Sequence, residues 1–247
     1  MKLLVDLGNT RPKWACQHED GSLEGPYGMC GAVAAEFEAA WARLAPQEAI
    51  YCSVASADVT RALRAWIEAR WPLEVWEVRA QARAGEVRNA YRDPAALGDD
   101  RWANLLGARA LLGELDAIIV DAGTAVTVDG LRADGRHVGG AIYAGLAAAR
   151  AGLAHAAPAL PDPEAASTTA LPARDSTTAV AGGTWAAQVG ACEHVAREVA
   201  AKLNDPVYLL TGGNAEALAA RLGSRWRHDP LLTMRGLVAA RESQCAG

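Results

Sequence analysis

Two stretches decide how this chain is read: residues 1–10, MKLLVDLGNT, and residues 118–125, IIVDAGTA. Each runs apolar, apolar, Val, Asp, any residue, Gly. In the first, Leu3-Leu4-Val5 ends on Asp6 and breaks into Gly8-Asn9-Thr10. A carboxylate at a strand end, beside a glycine-permitted turn and a hydroxyl, suits a metal–phosphate site. The turn offers backbone N–H groups, the Thr offers Oγ, and the carboxylate can hold Mg²⁺ through water. The same residues also make an ordinary hairpin turn, and the first ten residues alone do not separate the two readings. The echo does add weight. Asp6 and Asp121 lie about half the length of a 247-residue chain apart, the signature of duplicated halves. A third apolar run ends in Thr211-Gly212-Gly213-Asn214. Three such strand ends point to loops converging on one nucleotide.

Working outward, the pattern predicts strands at 2–6, 12–17, 49–54 and 73–78, with helices at 32–45 and 59–71 between them. Phe37, Trp41 and Leu44 recur at helical spacing, as do Leu63, Trp66, Ile67 and Trp71; these are core stripes. Asp58 is read as the cap of the second helix. Residues 79–100 are irregular. A helix at 101–115 follows the paired carboxylates Asp99 and Asp100, and a strand at 117–121 leads into the second Asp-x-Gly. The second half continues with a strand at 137–143, a helix at 144–156 and a loop or lid at 157–175 carrying Pro158, Pro161, Pro163 and Pro172. A helix at 177–203, a strand at 206–211, and helices at 215–222 and 231–243 complete it. The expected fold is mixed α/β, two similar domains at 1–115 and 116–247 with a cleft between them.

Composition narrows the function classes. Hydrophobic residues make up 51% and charged ones 21%, which excludes disorder. A net charge of −5 and a pI near 5.6 give no global basic footprint for nucleic acid. Among the cations only Lys2, Lys13 and Lys202 are Lys, so Lys13 inside a candidate phosphate loop stands out. The five Cys contain no C-x-x-C and the five His no metal-ligand spacing, so neither a disulfide framework nor a zinc site is expected. The start has no long apolar signal region and no run approaches a membrane span, so the expected setting is cytoplasmic. P-loop, dinucleotide-binding and nucleophile-elbow motifs are missing. A kinase also needs a carboxylate near its acceptor hydroxyl. Gly98-Asp99-Asp100-Arg101-Trp102 offers one beside an Arg, although Asp in a first helical turn is common without any catalytic role.

These motifs together resemble a known family. Asp6-Leu7-Gly8-Asn9-Thr10 with Lys13-Trp14, then Gly98-Asp99-Asp100-Arg101-Trp102, then Asp121-Ala122-Gly123-Thr124-Ala125-Val126-Thr127-Val128-Asp129 fall in the order seen in type III pantothenate kinases. Gly139-Gly140-Ala141-Ile142-Tyr143-Ala144-Gly145 and Thr211-Gly212-Gly213 continue it. That family belongs to the acetate and sugar kinase/Hsp70/actin superfamily. The resemblance implies two ribonuclease H-like (actin-like ATPase) domains and ATP-dependent phosphorylation of pantothenate, the first step of coenzyme A synthesis.

By the same resemblance Asp6, Leu7, Gly8, Asn9, Thr10, Arg11, Pro12 and Lys13 form the first phosphate loop, with Asp6 placing Mg²⁺ through water. Asp100 is the general base. Tyr91, Gly98, Asp99, Asp100 and Arg101 line the pantothenate pocket, Asp121 holds a monovalent cation (K⁺ or NH₄⁺), Thr124 contacts ATP phosphate, and Gly212 and Gly213 pass the adenosine. A Thr reaching pantothenate across a homodimer interface corresponds to Ser176 by spacing and to Thr177 by residue identity. The chain departs from the family pattern at Ala144, where Pro is usual, and at Pro12, where an aliphatic residue is usual, so the second strand can begin later. Two other readings stay open on the sequence: a non-catalytic regulatory accessory protein on the same fold, and a kinase for another small hydroxyl substrate.

Overall fold

The computed structural model describes residues 1–8 and 10–245; Asn9, assigned above to the first phosphate loop, lies outside them. The chain begins with β1 (Lys2–Leu7), β2 (Lys13–Gln17), β3 (Leu23–Gly28), α1 (Ala34–Trp41), β4 (Glu48–Ser53), α2 (Ala57–Arg70) and β5 (Glu74–Glu77). A small ribbon, β6 (Arg83–Ala84) and β7 (Val87–Arg88), leads to α3 (Asp99–Leu112). The second half holds β8 (Ala117–Ala122), β9 (Ala125–Leu131), β10 (His137–Ala144), α4 (Leu146–Ala156), α5 (Ser176–Ala200), β11 (Val207–Thr211), α6 (Ala215–Leu222), β12 (Trp226–His228) and α7 (Leu232–Cys245).

The expected duplication is visible in the topology. One five-stranded sheet runs β3-β2-β1-β4-β5 and the other β10-β9-β8-β11-β12. In both, the first three strands pair antiparallel and the last two join in parallel. Parallel neighbours need a crossover, and α2 and α6 supply it at equivalent places. Asp6 and Asp121 are each the penultimate residue of the central strand of their sheet.

Strand alternation decides where those two carboxylates point. Along β1, Leu3, Val5 and Leu7 pack into the outer core against α1 and α2, where Phe37, Trp41, Leu63 and Ile67 are buried. Leu4 packs inward with Trp102, Leu105 and Leu106 of α3. Along β8, Ile118, Val120 and Ala122 face outward toward Cys192 and Ala196 of α5, while Ala117 and Ile119 face α3. A period of two puts Asp6 on the face of Leu4, and Asp121 on the face of Ile119. Both therefore point toward the layer between the sheets.

That layer is α3 with α7, which come from different halves of the chain. The inner core joins Leu4 and Ile50 of the first sheet, Ile119 and Leu209 of the second, Trp102 and Leu105 of α3, and Leu232 and Leu237 of α7. Each such fully buried side chain contributes about 1.5–3 kcal/mol. The two helices cross where both carry glycine. A Cβ on Gly107 would strike the Leu232 carbonyl oxygen, and one on Gly236 would strike that of Ala103.

Most elements match their sequence-based expectations, with instructive differences. Ser56, not Asp58, caps α2: Ser56 Oγ accepts the Val59 N–H at 3.4 Å, and Asp58 sits in the first turn paired with Arg61. α3 starts at Asp99, so the paired carboxylates form its first turn instead of preceding it, with Gly98 as N-cap. Strand β3 is missing from the expectation because Gly25 and Pro26 read as turn residues; Pro is tolerated because β3 is an edge strand. No helix among the described residues is long and apolar enough to cross a membrane.

Candidate active site

Three carboxylates from three elements meet in the cleft: Asp6 from β1, Asp100 from the first turn of α3, and Asp121 from β8. Their proximity shows in their electrostatics. Burial pushes the Asp6 carboxyl up to about 7, helped by the charges of Asp121 and Asp100 and opposed by Lys13. Burial likewise raises Asp100 to about 6, helped by Asp121 and opposed by the Arg101 backbone N–H and guanidinium. A base with its pKa near working pH is the efficient kind. Cys52, the neighbour of Asp6 across β1 and β4, sets its thiol 3.8 Å from Asp6 Oδ1. Burial, then the Asp6 charge, holds that thiol well above its ordinary pKa, so it stays protonated.

The strand-end loops converge as the sequence pattern implied. Thr10 Oγ1 and Thr124 Oγ1 are 2.8 Å apart, joining the first loop to its echo. Lys13 opens β2 directly opposite Asp6 in the strand register. Pro12 is buried, and its carbonyl accepts the Met29 N–H at 2.9 Å, so β2 begins one residue after it. Leu7 is buried in the outer core, so it supports the first loop from behind. Gly8 is half-buried, and Arg11 is exposed at the mouth of the loop.

The third loop is held to the second, since Asn214 N–H donates to the Ala122 carbonyl at 2.9 Å. Gly212 has φ of 101°, and a Cβ there would lie 2.6 Å from the Ala122 nitrogen, besides striking Asp121 Oδ1. Gly213, by contrast, is exposed and open. Gly212→Ala is expected to raise the KM for nucleotide by about tenfold or more, since a residue forced into such a conformation costs about 1–3 kcal/mol. Steady-state kinetics with varied ATP check this, with Gly152→Ala in α4, exposed and open where a Cβ would go, as the near-neutral control.

Around Asp100, the expected pocket residues take distinct positions. Arg101 is buried and makes a two-pronged ion pair with Asp129, Nε to Oδ2 at 2.8 Å and Nη2 to Oδ1 at 2.6 Å. Its Nη1 donates to Tyr91 Oη at 2.6 Å. Burial opposes the Arg101 charge, but the Asp129 pairing outweighs it and the guanidinium pKa is raised. Asp99 Oδ1 accepts the Ala80 N–H at 2.7 Å and fastens the chain after β5 to α3. Ser176 and Thr177 open α5 behind the capping Asp175, exposed and half-buried respectively.

Sequence reasoning missed the residues that steady Asp121. Asn104 Nδ2 donates to Asp121 Oδ2 at 3.1 Å, and Thr233 of α7 donates its hydroxyl to Asn104 Oδ1 at 2.8 Å. Asn104 lies one helical turn after Asp100, so an i, i+4 reading of α3 would have found it. Thr233 gives no such signal. Gln188 of α5 donates to the Ala144 carbonyl at 2.9 Å, fixing the turn in which Ala144 replaces the usual Pro.

Among the described residues no group of three His, Cys, Asp or Glu forms a cage for a metal ion. The donors in the cleft are hard oxygens, the carboxylates of Asp6 and Asp121 and the hydroxyls of Thr10 and Thr124. Such a set fits Mg²⁺, which usually keeps its waters and is held by one or two carboxylates and substrate phosphates.

Comparison with known proteins gives the family. A family model described as type III pantothenate kinase matches residues 2–198. A type III pantothenate kinase from Halorhodospira halophila is 37% identical over 250 residues, covering 96% of each chain. One from Burkholderia vietnamiensis is 38% identical over 253 residues, again covering 96% of each. Among solved structures, a chain described as a Baf family transcriptional activator from Campylobacter jejuni superposes with a TM-score of 0.63 at 20% identity, covering 99% of this chain and 100% of that one. The activator of 2-hydroxyisocaproyl-CoA dehydratase from Clostridium difficile, solved with bound ADPNP, gives 0.55 at 10% identity, covering 99% and 96%. At those identities the structural likenesses carry the fold alone, that of two actin-like ATPase domains. The sequence relatives carry more, and on them the chain belongs to the type III pantothenate kinase family.

Proposed function

We propose that the chain transfers the γ-phosphoryl group of ATP to the 4′-hydroxyl of pantothenate, the first step of coenzyme A biosynthesis. The observation that carries the reading is that Asp6, Asp121 and Asp100, each delivered by a different element, lie close enough in the cleft for Asp121 to raise the pKa of both Asp6 and Asp100. Asp100 takes the hydroxyl proton as the new O–P bond forms, and the bond to the bridging oxygen of ADP breaks. The loop from Asp6 to Lys13, with Thr124, holds the phosphates; Gly212 and Gly213 pass the adenosine. Tyr91, Gly98, Asp99 and Arg101 shape the acceptor pocket, and Ser176 or Thr177 of a second copy completes it in a homodimer. The halves 1–115 and 116–247 form the two domains that wall the cleft.

Asp6 would hold Mg²⁺ through water and Asp121 a monovalent cation, K⁺ or NH₄⁺. When bound, these ions offset the charge of the triphosphate in a cleft with few lysines. The free thiols Cys16, Cys30, Cys52 and Cys192 suit a reducing cytoplasmic setting.

The direct test incubates the pure protein with ATP, Mg²⁺, K⁺ and pantothenate and follows ADP. Release above the pantothenate-free background is expected; none with either K⁺ or NH₄⁺ overturns the reading. Asp121→Ala is expected to blunt the activation by K⁺, and an unchanged K⁺ response removes that role from Asp121. Light scattering at micromolar protein reads the dimer.

A further inference from the structure

Arg101 and Tyr91 do not hold themselves in place. Behind them lies a buried chain of polar groups from the second sheet, outside every motif role given above. Asp129 of β9 receives both prongs of Arg101, and its Oδ1 lies 2.9 Å from Nε2 of His137, the first residue of β10. The His137 side chain is fully buried. Its other ring nitrogen, Nδ1, faces the Ala90 backbone N–H at 3.4 Å. Because Nδ1 accepts that proton, the ring's own proton is on Nε2 and is donated to Asp129. The His137 ring also stacks on Tyr91, with centroids 6.1 Å apart and planes 18° from parallel. The segment in front is stiffened further: Asn89 Oδ1 accepts the Tyr91 N–H at 3.0 Å, and Asn89 Nδ2 donates to the carbonyls of Gln81 and Pro94.

We infer that Asp129 and His137 are positioning residues for the acceptor pocket, with His137 fixing both Asp129, which aims Arg101, and the segment that presents Tyr91. The inference rests on the reading of Arg101 and Tyr91 as acceptor-pocket residues. Three of the five guanidinium N–H groups of Arg101 are used by Asp129 and Tyr91, in a plane set by the fork on Asp129. The remaining two are directed by that same plane, so an anionic or carbonyl group on the acceptor meets donors whose direction is decided in the second sheet. Neither Asp129 nor His137 belongs to the strand-end loops that hold the phosphates. Their loss should therefore fall on the acceptor and leave the nucleotide alone.

The experiment compares His137→Leu, His137→Gln and Asp129→Asn by full kinetics with pantothenate and ATP varied separately, alongside thermal melting. Gln can donate to Asp129 and accept from Ala90 as the imidazole does; Leu can do neither. His137→Leu is expected to raise the KM for pantothenate about tenfold to a hundredfold, the loss typical of one hydrogen bond to a charged group. The KM for ATP should stay within about twofold and His137→Gln should recover most of the loss. Asp129→Asn should exceed His137→Leu. Combined with Arg101→Lys, His137→Leu should add less than its effect alone, because both act through one contact. If the constants for pantothenate and ATP move together, or Leu and Gln behave alike, the role is only structural and the inference is overturned. If His137→Leu does not fold, His137→Asn, too short to span both partners, is judged by the same split. An Arg101→Lys variant with unchanged pantothenate KM overturns the pocket reading itself. A raised value there with no effect at His137 overturns only the inference.

Discussion

Asp100→Asn is expected to lower kcat by about 10²–10⁴-fold, the span typical of losing a general base, while ATP binding persists. The substitution keeps size and shape and removes the proton-accepting carboxylate on which the proposed mechanism relies. Persistence of binding follows from placement. Asp100 stands on α3, whereas Thr10, Thr124 and the two glycines of the third loop stand on strand ends. The variant also carries a second signature. Burial and the neighbouring carboxylates disfavour the Asp100 charge, so removing it should raise the melting temperature of the cation-free protein while activity collapses. Calorimetric ATP titration and thermal melting, beside the kinetics, read all three effects. A variant retaining more than about a tenth of wild-type kcat would remove Asp100 from the base role.

Gly236→Ala is expected to be the most damaging single methyl group in the molecule. The new Cβ would fall on the carbonyl oxygen of Ala103 and within 2.9 Å of its Cα, with backbone on the receiving side instead of a movable side chain. Overpacking of this kind costs about 1–3 kcal/mol and occasionally more. In a chain of this size each kcal/mol lowers the melting temperature by about 2–4 °C, so a drop on the order of 10 °C is expected. Because α3 carries Asp100, activity should fall further than stability alone explains. Gly152→Ala is the control. Gly152 lies in α4, exposed and with open space where a Cβ would go, and there the same change should stabilise by about 0.4–1 kcal/mol. Equal behaviour of the two variants would contradict the helix crossing.

What the sequence made legible was whatever a local pattern encodes. The Asp-x-Gly echo at Asp6 and Asp121 announced duplicated halves, and the two sheets share one topology. Alternation along β1 and β8 was enough to aim both carboxylates inward. The aromatic stripes of α1 and α2 became core, with Phe37 stacked on Trp41 at 5.1 Å. What stayed hidden depends on contacts between distant segments. Gly107 and Gly236 read as mildly unfavourable helix residues until the helices that need them are seen to cross. Asp129 could be quoted inside a motif, but its pairing with Arg101 and His137 could not, because three elements supply the three groups. Thr233 reaches Asn104 from α7, a helix whose sequence gives no hint of a place beside the cleft.

The crossing of α3 and α7 has a consequence for how the protein is made. Residues 99–112 leave the ribosome well before α7, and both sheets can be complete before α7 emerges. Until then α3 lacks the partner that fills the groove at Gly107, and Asn104 lacks Thr233. The helix that carries Asp100 is thus set by a segment translated well after it, and a nascent chain carries its strand-end loops before α3 is fixed in place.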